Sequence, residues 1–227
     1  MSQDLDAVAF DLDGTLYPNY RLNIRLLPFL LGHWPLLVAF GRARDRIRAE
    51  QEKAPSSFSD DFYGYQARLT AEMLNAPPDK IGEKIDRLVY RGWEPLFARI
   101  KLLPHVTEVL AELKAAGLKL GMLSDFPTQT KLKNLGIAGI WDAEICSEAT
   151  GALKPSSRPF ACLADALHCA PGRILYVGNS YRYDMVGAKR AGMKTALLVS
   201  RGLPGRAKPA ADFTFRDYRK LADFVLK

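Results

Sequence analysis

The sequence predicts an α/β protein with a doubly wound, Rossmann-like parallel sheet, into which an all-helical domain is inserted. Three observations lead to this prediction. The short apolar run Ala7 to Phe10 ends in two aspartates and is typical of a buried strand. Residues 17–100 then show helical periodicity with few strand-like runs. From Pro104 onward, helix-like and strand-like segments alternate, as they do in a parallel sheet covered on both faces.

The helical block contains at least three predicted helices. The charged stretch from Arg42 to Lys53 forms one of them, and Phe62 to Leu74 places large apolar side chains at helical spacing. Asp79 is predicted to cap a further helix that runs to about residue 89. Breakers at Pro55-Ser56-Ser57 and at Pro77-Pro78 separate these segments.

The second half of the chain predicts alternating helices and strands. The strands are 118–123, 144–146, 174–177, 195–199 and 212–215, and the helices are 106–116, 128–135, 158–167, 183–191 and 217–226. Because the first strand belongs to the same sheet, we expect residues 1–16 and 101–227 to form the α/β core domain. Residues 17–100 are then the inserted helical domain.

Composition narrows the class of protein. Of the 227 residues, 48% are hydrophobic and 25% are charged, which is typical of a soluble globular protein. The formal net charge of +7 is spread along the chain without a recognition motif, so we do not expect nucleic acid as a partner. Three cysteines without C-x-x-C spacing argue against a disulfide framework and favour a cytoplasmic location. The acidic, polar N-terminus does not resemble a signal peptide.

Residues 26–40 (LLPFLLGHWPLLVAF) form the one candidate for membrane contact. The stretch is shorter than the ~20 residues that span a bilayer, and it contains two prolines and a glycine. We interpret it as buried helical structure within the insertion. Contact with a membrane surface, aided by the arginines that follow at residues 42–48, is the alternative.

Polar side chains follow the predicted strands at the edge where a parallel sheet binds ligands. Asp11 and Asp13 follow the first strand, and their i, i+2 spacing directs both carboxylates to one side. Ser124-Asp125 follows the second strand, and Lys154 precedes the helix after the third. Asn179 and Asp184 follow the fourth. The carboxyl ends of parallel strands converge, so these groups are expected to share one pocket.

These stretches resemble the four motifs of the haloacid dehalogenase superfamily, in order and over essentially the whole chain. The matching residues are D-L-D-G-T from Asp11, Ser124, L-K-P around Lys154, and G-N-S-x-x-x-D-x-x-G-A-x-x-A-G from Gly178. The helical block between the first two motifs resembles the cap domain of one large subfamily. The resemblance implies a hydrolase of the phosphatase branch.

The resemblance also implies a role for each residue. Asp11 would be the nucleophile that forms an aspartyl-phosphate, and Asp13 the general acid and base. Ser124 and Lys154 would bind the substrate phosphate. Mg²⁺ would be held by Asp11, the backbone carbonyl of Asp13, Asn179 and Asp184. Because an alcohol leaving group needs a proton and a halide does not, Asp13 favours phosphate esters over carbon–halogen bonds.

Two positions depart from the family pattern. Asn179 stands where an aspartate is usual, which removes one negative charge, and Asp125 stands where asparagine is often found. We expect Mg²⁺ to bind more weakly than in a fully acidic relative, unless Asp125 faces the metal.

The sequence therefore predicts a Mg²⁺-dependent phosphatase whose partner is a small phosphorylated metabolite. A phosphomutase, which returns the phosphoryl group to a second hydroxyl, is the closest alternative. A non-catalytic or membrane-associated protein that kept the fold is the alternative from another class.

Overall fold

The computed structural model describes residues 4–54, 59–199 and 211–227. Its strands are β1 (Ala7–Phe10), β2 (Lys119–Ser124), β3 (Ala143–Cys146), β4 (Ile174–Gly178), β5 (Lys194–Leu198) and β6 (Phe213–Phe215). They form a six-stranded parallel sheet in the order β3-β2-β1-β4-β5-β6. The predicted doubly wound fold is confirmed, and the strand bounds agree with the sequence to within one or two residues.

The helices are α1 (Asn19–Lys53), α2 (Phe62–Leu74), α3 (Pro78–Ile85), α4 (Arg91–Phe97), α5 (Val106–Ala115), α6 (Gln129–Asn134), α7 (Ser157–Leu167), α8 (Val186–Arg190) and α9 (Tyr218–Leu226). Single π-helical turns join α3 to α4 and precede α8. Successive side chains of a strand point to opposite faces of the sheet. Val8 and Phe10 accordingly pack in the apolar cluster with α5 and α9, whereas Ala7 and Ala9 pack in the cluster with α7 and α8.

Helix α1 is kinked at His33, whose backbone angles are not helical. Pro35 lies two residues further on, and a proline ring clashes with the preceding turn and removes a helical hydrogen bond. Beyond the kink, Leu36 and Phe40 pack against α2 and α3. Their burial agrees with the interpretation of residues 26–40, whereas Trp34 is 60% exposed and does not; the side chains of residues 26–31 lie outside the described ones. No described helix is both long and apolar enough to cross a membrane.

Helix α2 has the predicted bounds, but the prediction that Asp79 caps the next helix was wrong. Pro77 is the extended N-cap residue, and Pro78 is the first helical residue of α3. Proline suits this first position because it has no N–H to leave unpaired and its φ is already helical. Asp79 therefore lies in the first turn, where its charge is favourable beside the helix N-terminus.

The sheet reverses its strand order between β1 and β4. From this pair, β2 and β3 extend to one side and β5 and β6 to the other. Connections leave in opposite directions at such a point, so a crevice opens at the carboxyl ends of the two central strands. Asp11 directly follows β1, and Asn179 directly follows β4.

Candidate active site

Lys154 lies between two buried carboxylates at the end of the central strands. Its Nζ donates to Asp11 Oδ1 and to Asp184 Oδ1, each at 2.7 Å. The side chains of Lys154, Asp11 and Asp184 are only 5%, 7% and 2% exposed, respectively. The remaining oxygens are also bound, because Thr15 donates to Asp11 Oδ2 and the Ser180 N–H donates to Asp184 Oδ2. We call Asp11, Lys154 and Asp184 the nucleophile cluster, after the role that the family resemblance implies for Asp11.

The charges of this cluster are mutually dependent. Burial, together with the nearby carboxylates of Asp184 and Asp13, raises the pKa of Asp11 to about 7, although the Lys154 ammonium acts in the opposite direction. Burial alone would lower the pKa of Lys154, but Asp11 and Asp184 outweigh it and hold the pKa well above its ordinary value. Lys154 is therefore a permanent cation beside Asp11.

Asp13 belongs to a second, adjoining group of side chains. Lys131 Nζ donates to both of its carboxylate oxygens, at 2.9 and 3.0 Å, and the Tyr17 hydroxyl also donates to it. Ser124 Oγ donates to Asp13 Oδ2 at 3.1 Å and accepts from the Phe126 N–H. We call Asp13, Tyr17, Ser124 and Lys131 the proton-transfer cluster, after the role that the family resemblance implies for Asp13.

This second cluster favours the carboxylate form of Asp13. Burial pulls the pKa of Asp13 upward, but Lys131 and the hydroxyls of Tyr17 and Ser124 outweigh it, so the pKa lies below its ordinary value. The two aspartates thus differ in environment although they are only two residues apart. Such a difference suits two carboxylates with separate roles in one reaction.

Two glycines leave room for the side chains of Asn179 and Asp184. Gly14 has φ +88°, and a Cβ there would lie 2.2 Å from Asn179 Nδ2. A Cβ at Gly178 would lie 2.5 Å from the side chain of Asp184. Larger residues at either position would push Asn179 or Asp184 out of the crevice.

The two carboxylates of the nucleophile cluster suit a Mg²⁺ ion. Asp11 and Asp184 already direct one oxygen each toward a single cationic atom, and the Asn179 amide lies at the same edge. Within the described ranges, no group of three or more His, Cys, Asp or Glu side chains could hold a metal. Two carboxylates completed by neutral oxygens, water and substrate are nevertheless a usual Mg²⁺ environment.

The carboxylate of Asp125 points toward two arginines of α1 and not toward the carboxylates of the nucleophile cluster. Its Oδ2 accepts from Arg48 Nη2 at 2.9 Å and lies 3.6 Å from Arg44 Nη2. Burial pulls its pKa upward, but Lys154 and the two arginines outweigh it, and the pKa is below its ordinary value. The negative charge of Asp125 is therefore matched by α1, so it does not replace the charge that is absent at Asn179.

Lys131, Arg44 and Arg48 contact the site although the sequence predicted no role for them there. Lys131 is 8% exposed and lies over the rings of Phe97 and Phe126, at 5.0 and 5.2 Å from their centroids. Its position seven residues after Ser124, near the start of a helix that leaves the carboxyl edge, was the available signal. The partners of the two arginines lie too far along the chain to be inferred from local spacing.

A cleft of about 900 Å³ lies between α2 and α3, next to Gln66, Tyr90 and Pro127. None of the described candidate residues lines it. The hydroxyl of Tyr90, which lines the cleft, donates to Glu148, and Glu148 forms an ion pair with Arg44 of α1. Its lining gives no reason to assign it to the chemistry of Asp11.

Comparison with known proteins agrees with this geometry. A family model described as haloacid dehalogenase-like hydrolase matches residues 5–192. The chain is 27% identical over 232 residues to glyceraldehyde 3-phosphate phosphatase of Methanopyrus kandleri, with 97% of each chain covered. It is 28% identical over 208 residues to phosphoglycolate phosphatase of Salmonella typhi, which covers 84% of this chain and 79% of that protein.

A solved structure shares the fold. The L-2-haloacid dehalogenase RSc1362 superposes with a TM-score of 0.67 at 23% identity and covers 98% of this chain and 99% of its own. The relatives by sequence are named as phosphatases and this structural neighbour as a dehalogenase. The fold alone therefore does not decide which bond is cleaved.

Proposed function

The chain belongs to the haloacid dehalogenase-like hydrolases, and from that membership we propose that it is a Mg²⁺-dependent phosphatase acting on a small phosphorylated metabolite. The observation that carries the proposal is the separation of Asp11 and Asp13 into two adjoining clusters. Asp11 shares Lys154 with Asp184, whereas Asp13 is bound by Lys131 and by two hydroxyl groups, so the two carboxylates can take separate roles. The named phosphatases among the sequence relatives support the same reaction.

Two displacements at phosphorus make up the proposed reaction. A carboxylate oxygen of Asp11 bonds to phosphorus while the bond to the leaving alcohol breaks, and protonated Asp13 gives its proton to that alcohol. Water then attacks phosphorus, Asp13 takes the proton, and the bond between phosphorus and Asp11 breaks. Inorganic phosphate leaves, and both aspartates return to their starting state. Lys131 stabilises the carboxylate form that the second displacement requires, so Asp13 must take up a proton before the first displacement, and the negative charge of a bound phosphate beside it favours that protonation.

Lys154 and Ser124 are proposed to bind the phosphoryl oxygens. The Lys154 ammonium is already 2.7 Å from the attacking carboxylate, so it lies where negative charge develops during transfer. Ser124 Oγ lies 3.1 Å from Asp13 and is fully buried, on the side where the leaving oxygen would be. The two groups approach the reaction centre from different clusters.

Asp11 and Asp184 would hold Mg²⁺, together with the backbone carbonyl of Asp13 and the amide of Asn179. When bound, the ion would reduce the repulsion between the anionic nucleophile and the anionic phosphate. The oxygen donors at the ends of β1 and β4 support this assignment.

Asp13 supports phosphate esters as the substrate class. An alkoxide is a poor leaving group unless it is protonated, and Asp13 is the second carboxylate beside Asp11. Residues 17–100 are proposed to act as a cap that excludes water during transfer. A cytoplasmic location is proposed from the cysteine spacing alone.

The test is release of inorganic phosphate from p-nitrophenyl phosphate, 2-phosphoglycolate and glyceraldehyde 3-phosphate. The wild type is assayed with Mg²⁺ and with EDTA, beside Asp11→Asn and the control Asp165→Asn, whose carboxylate is exposed on α7. We expect phosphate release that needs Mg²⁺, is lost in Asp11→Asn, and is retained in Asp165→Asn. Equal inactivity of folded wild type and Asp11→Asn would refute the proposal. Transfer to a second hydroxyl without free phosphate would identify a phosphomutase.

A further inference from the structure

Side chains of helix α1 bind the backbone around Lys154. We call residues 151–154 the lysine segment. Gln51 Nε2 donates to the carbonyl of the first residue in the segment at 3.3 Å, and Gln51 Oε1 accepts from the Leu153 N–H at 3.1 Å. Arg48 Nε donates to the Lys154 carbonyl at 3.0 Å. Arg48 and Gln51 are three residues apart on α1 and therefore share one face of the helix. Together they bind three backbone groups of the lysine segment.

Asp125 completes a closed ring of bonds around Lys154. Its Oδ1 accepts from the Lys154 N–H at 3.2 Å, and its Oδ2 accepts from Arg48 Nη2 at 2.9 Å. Arg48 in turn binds the Lys154 carbonyl. The N–H and the C=O of one residue are thus bound by two charged groups that also bind each other. A planar guanidinium can make both contacts at once, which an ammonium on a flexible chain does poorly.

These contacts are shielded from water. The Arg48 and Asp125 side chains are 11% and 14% exposed, and the Arg48 guanidinium lies 4.6 Å over the ring of Tyr183. Leu153 is fully buried in an apolar cluster that includes Ile47 of α1. Shielded charge-assisted bonds restrain geometry more strongly than exposed pairs do.

We propose that Arg48 and Gln51 are positioning residues that set the place of Lys154, so that the nucleophile cluster forms only while α1 is docked on the lysine segment. This inference rests on the proposed function for its kinetic consequences. It also gives Asp125 a role, because an asparagine there would lack the charge that pairs with Arg48.

The kinetic test compares Arg48→Gln with Arg46→Gln. Arg46 lies on the same helix, is 49% exposed, and pairs with Glu50 and Glu72. With p-nitrophenyl phosphate and Mg²⁺, we expect kcat of Arg48→Gln to fall by about 10- to 100-fold, since misplacing a catalytic group by an ångström can cost about that much. Arg46→Gln should stay within about twofold of wild type. Arg48→Lys should recover only part of the loss.

A double-mutant cycle separates positioning from a general structural effect. Arg48→Gln is introduced into wild type and into Lys154→Met. If Arg48 acts through Lys154, the substitution should lower the residual rate of Lys154→Met by less than about twofold. The same fold-loss in both backgrounds would overturn the inference.

Hydrogen exchange tests whether Arg48 and Gln51 hold the lysine segment in place, and it does not depend on enzymatic activity. The Leu153 and Lys154 amides are measured in wild type, Arg48→Gln and Gln51→Leu, with β1 amides as the reference for global opening. We expect at least about fivefold faster exchange in the lysine segment and unchanged exchange in β1. Unchanged exchange in the segment, or equal acceleration in β1, would overturn the inference. If wild type released no phosphate, the proposed function would fail, but the exchange measurement would still show whether α1 holds the lysine segment in place.

Discussion

Lys154→Met should destabilise the protein by leaving two carboxylates buried without their cation. Lys154 Nζ is 2.7 Å from both Asp11 and Asp184, and all three side chains are less than a tenth exposed. Removing one partner of a buried ion pair costs about 3–5 kcal/mol, because the remaining charge stays desolvated. We expect the free energy of unfolding in EDTA at pH 7 to fall by this amount. Domains have about 5–15 kcal/mol of stability, so the variant would remain folded if the wild type lies above about 7 kcal/mol.

The loss should depend on pH with a definite sign. Burial already raises the pKa of Asp11 to about 7 with Lys154 present, and removing the ammonium raises it further. Between the unfolded pKa and this higher value, the folded variant binds more protons than the unfolded chain, so acid stabilises it. The gap between Lys154→Met and wild type should therefore narrow as the pH falls toward about 7, and change little below that, where Asp11 is protonated in both folded proteins.

Urea unfolding followed by tryptophan fluorescence measures both quantities. Lys133→Met is the control, because Lys133 is exposed on α6. It should change stability by less than about 0.5 kcal/mol. A loss below about 1 kcal/mol for Lys154→Met, or a gap that widens in acid, would refute the reasoning about the nucleophile cluster.

Three further predictions concern other parts of the site. Lys131→Met removes the cation that lowers the pKa of Asp13, so the acid limb of the pH–rate profile should move to higher pH. Arg44→Met leaves Glu148, which is 1% exposed, without its ion-pair partner, and should lower the free energy of unfolding by about 3–5 kcal/mol in urea titrations. Asn179→Asp restores a negative charge at the proposed metal site, so half-maximal activity should require less Mg²⁺.

Each of these predictions has a contrary outcome. An acid limb that stays in place would mean that Lys131 does not control the charge of Asp13. A loss under about 1 kcal/mol in Arg44→Met would mean that Glu148 takes up a proton or reaches water at little cost. An unchanged Mg²⁺ requirement in Asn179→Asp would count against the expectation that Asn179 weakens metal binding.

Local patterns predicted the sheet and much of the site because each depends on short stretches of chain. An apolar run followed by polar residues marks a strand and its carboxyl end, and parallel packing then brings the ends together. The structure accordingly brings Asp11, Lys154 and Asp184 into one cluster. It puts Ser124 beside Asp13, in the other cluster.

The contacts that the sequence did not predict join residues far apart in the chain. The sequence indicates that Arg44 and Arg48 lie on a charged helix, but it does not indicate that their side chains are buried against Asp125 and Glu148. The sequence predicted nothing about Lys131, and its burial depends on aromatic rings contributed from other segments. Helical spacing shows which residues lie on the same face of a helix, but it does not show which loop packs against that face.

The central position of β1 has a consequence for how the chain folds. Strand β1 is translated before the other described strands, yet its two neighbours in the sheet begin at Lys119 and Ile174. Pairings across so much intervening chain are entropically costly and slow. A nascent chain that ends before Ile174 therefore has an apolar strand open along one edge, and such edges invite aggregation. Chaperone contact at this stage of translation would protect the strand that later carries Asp11.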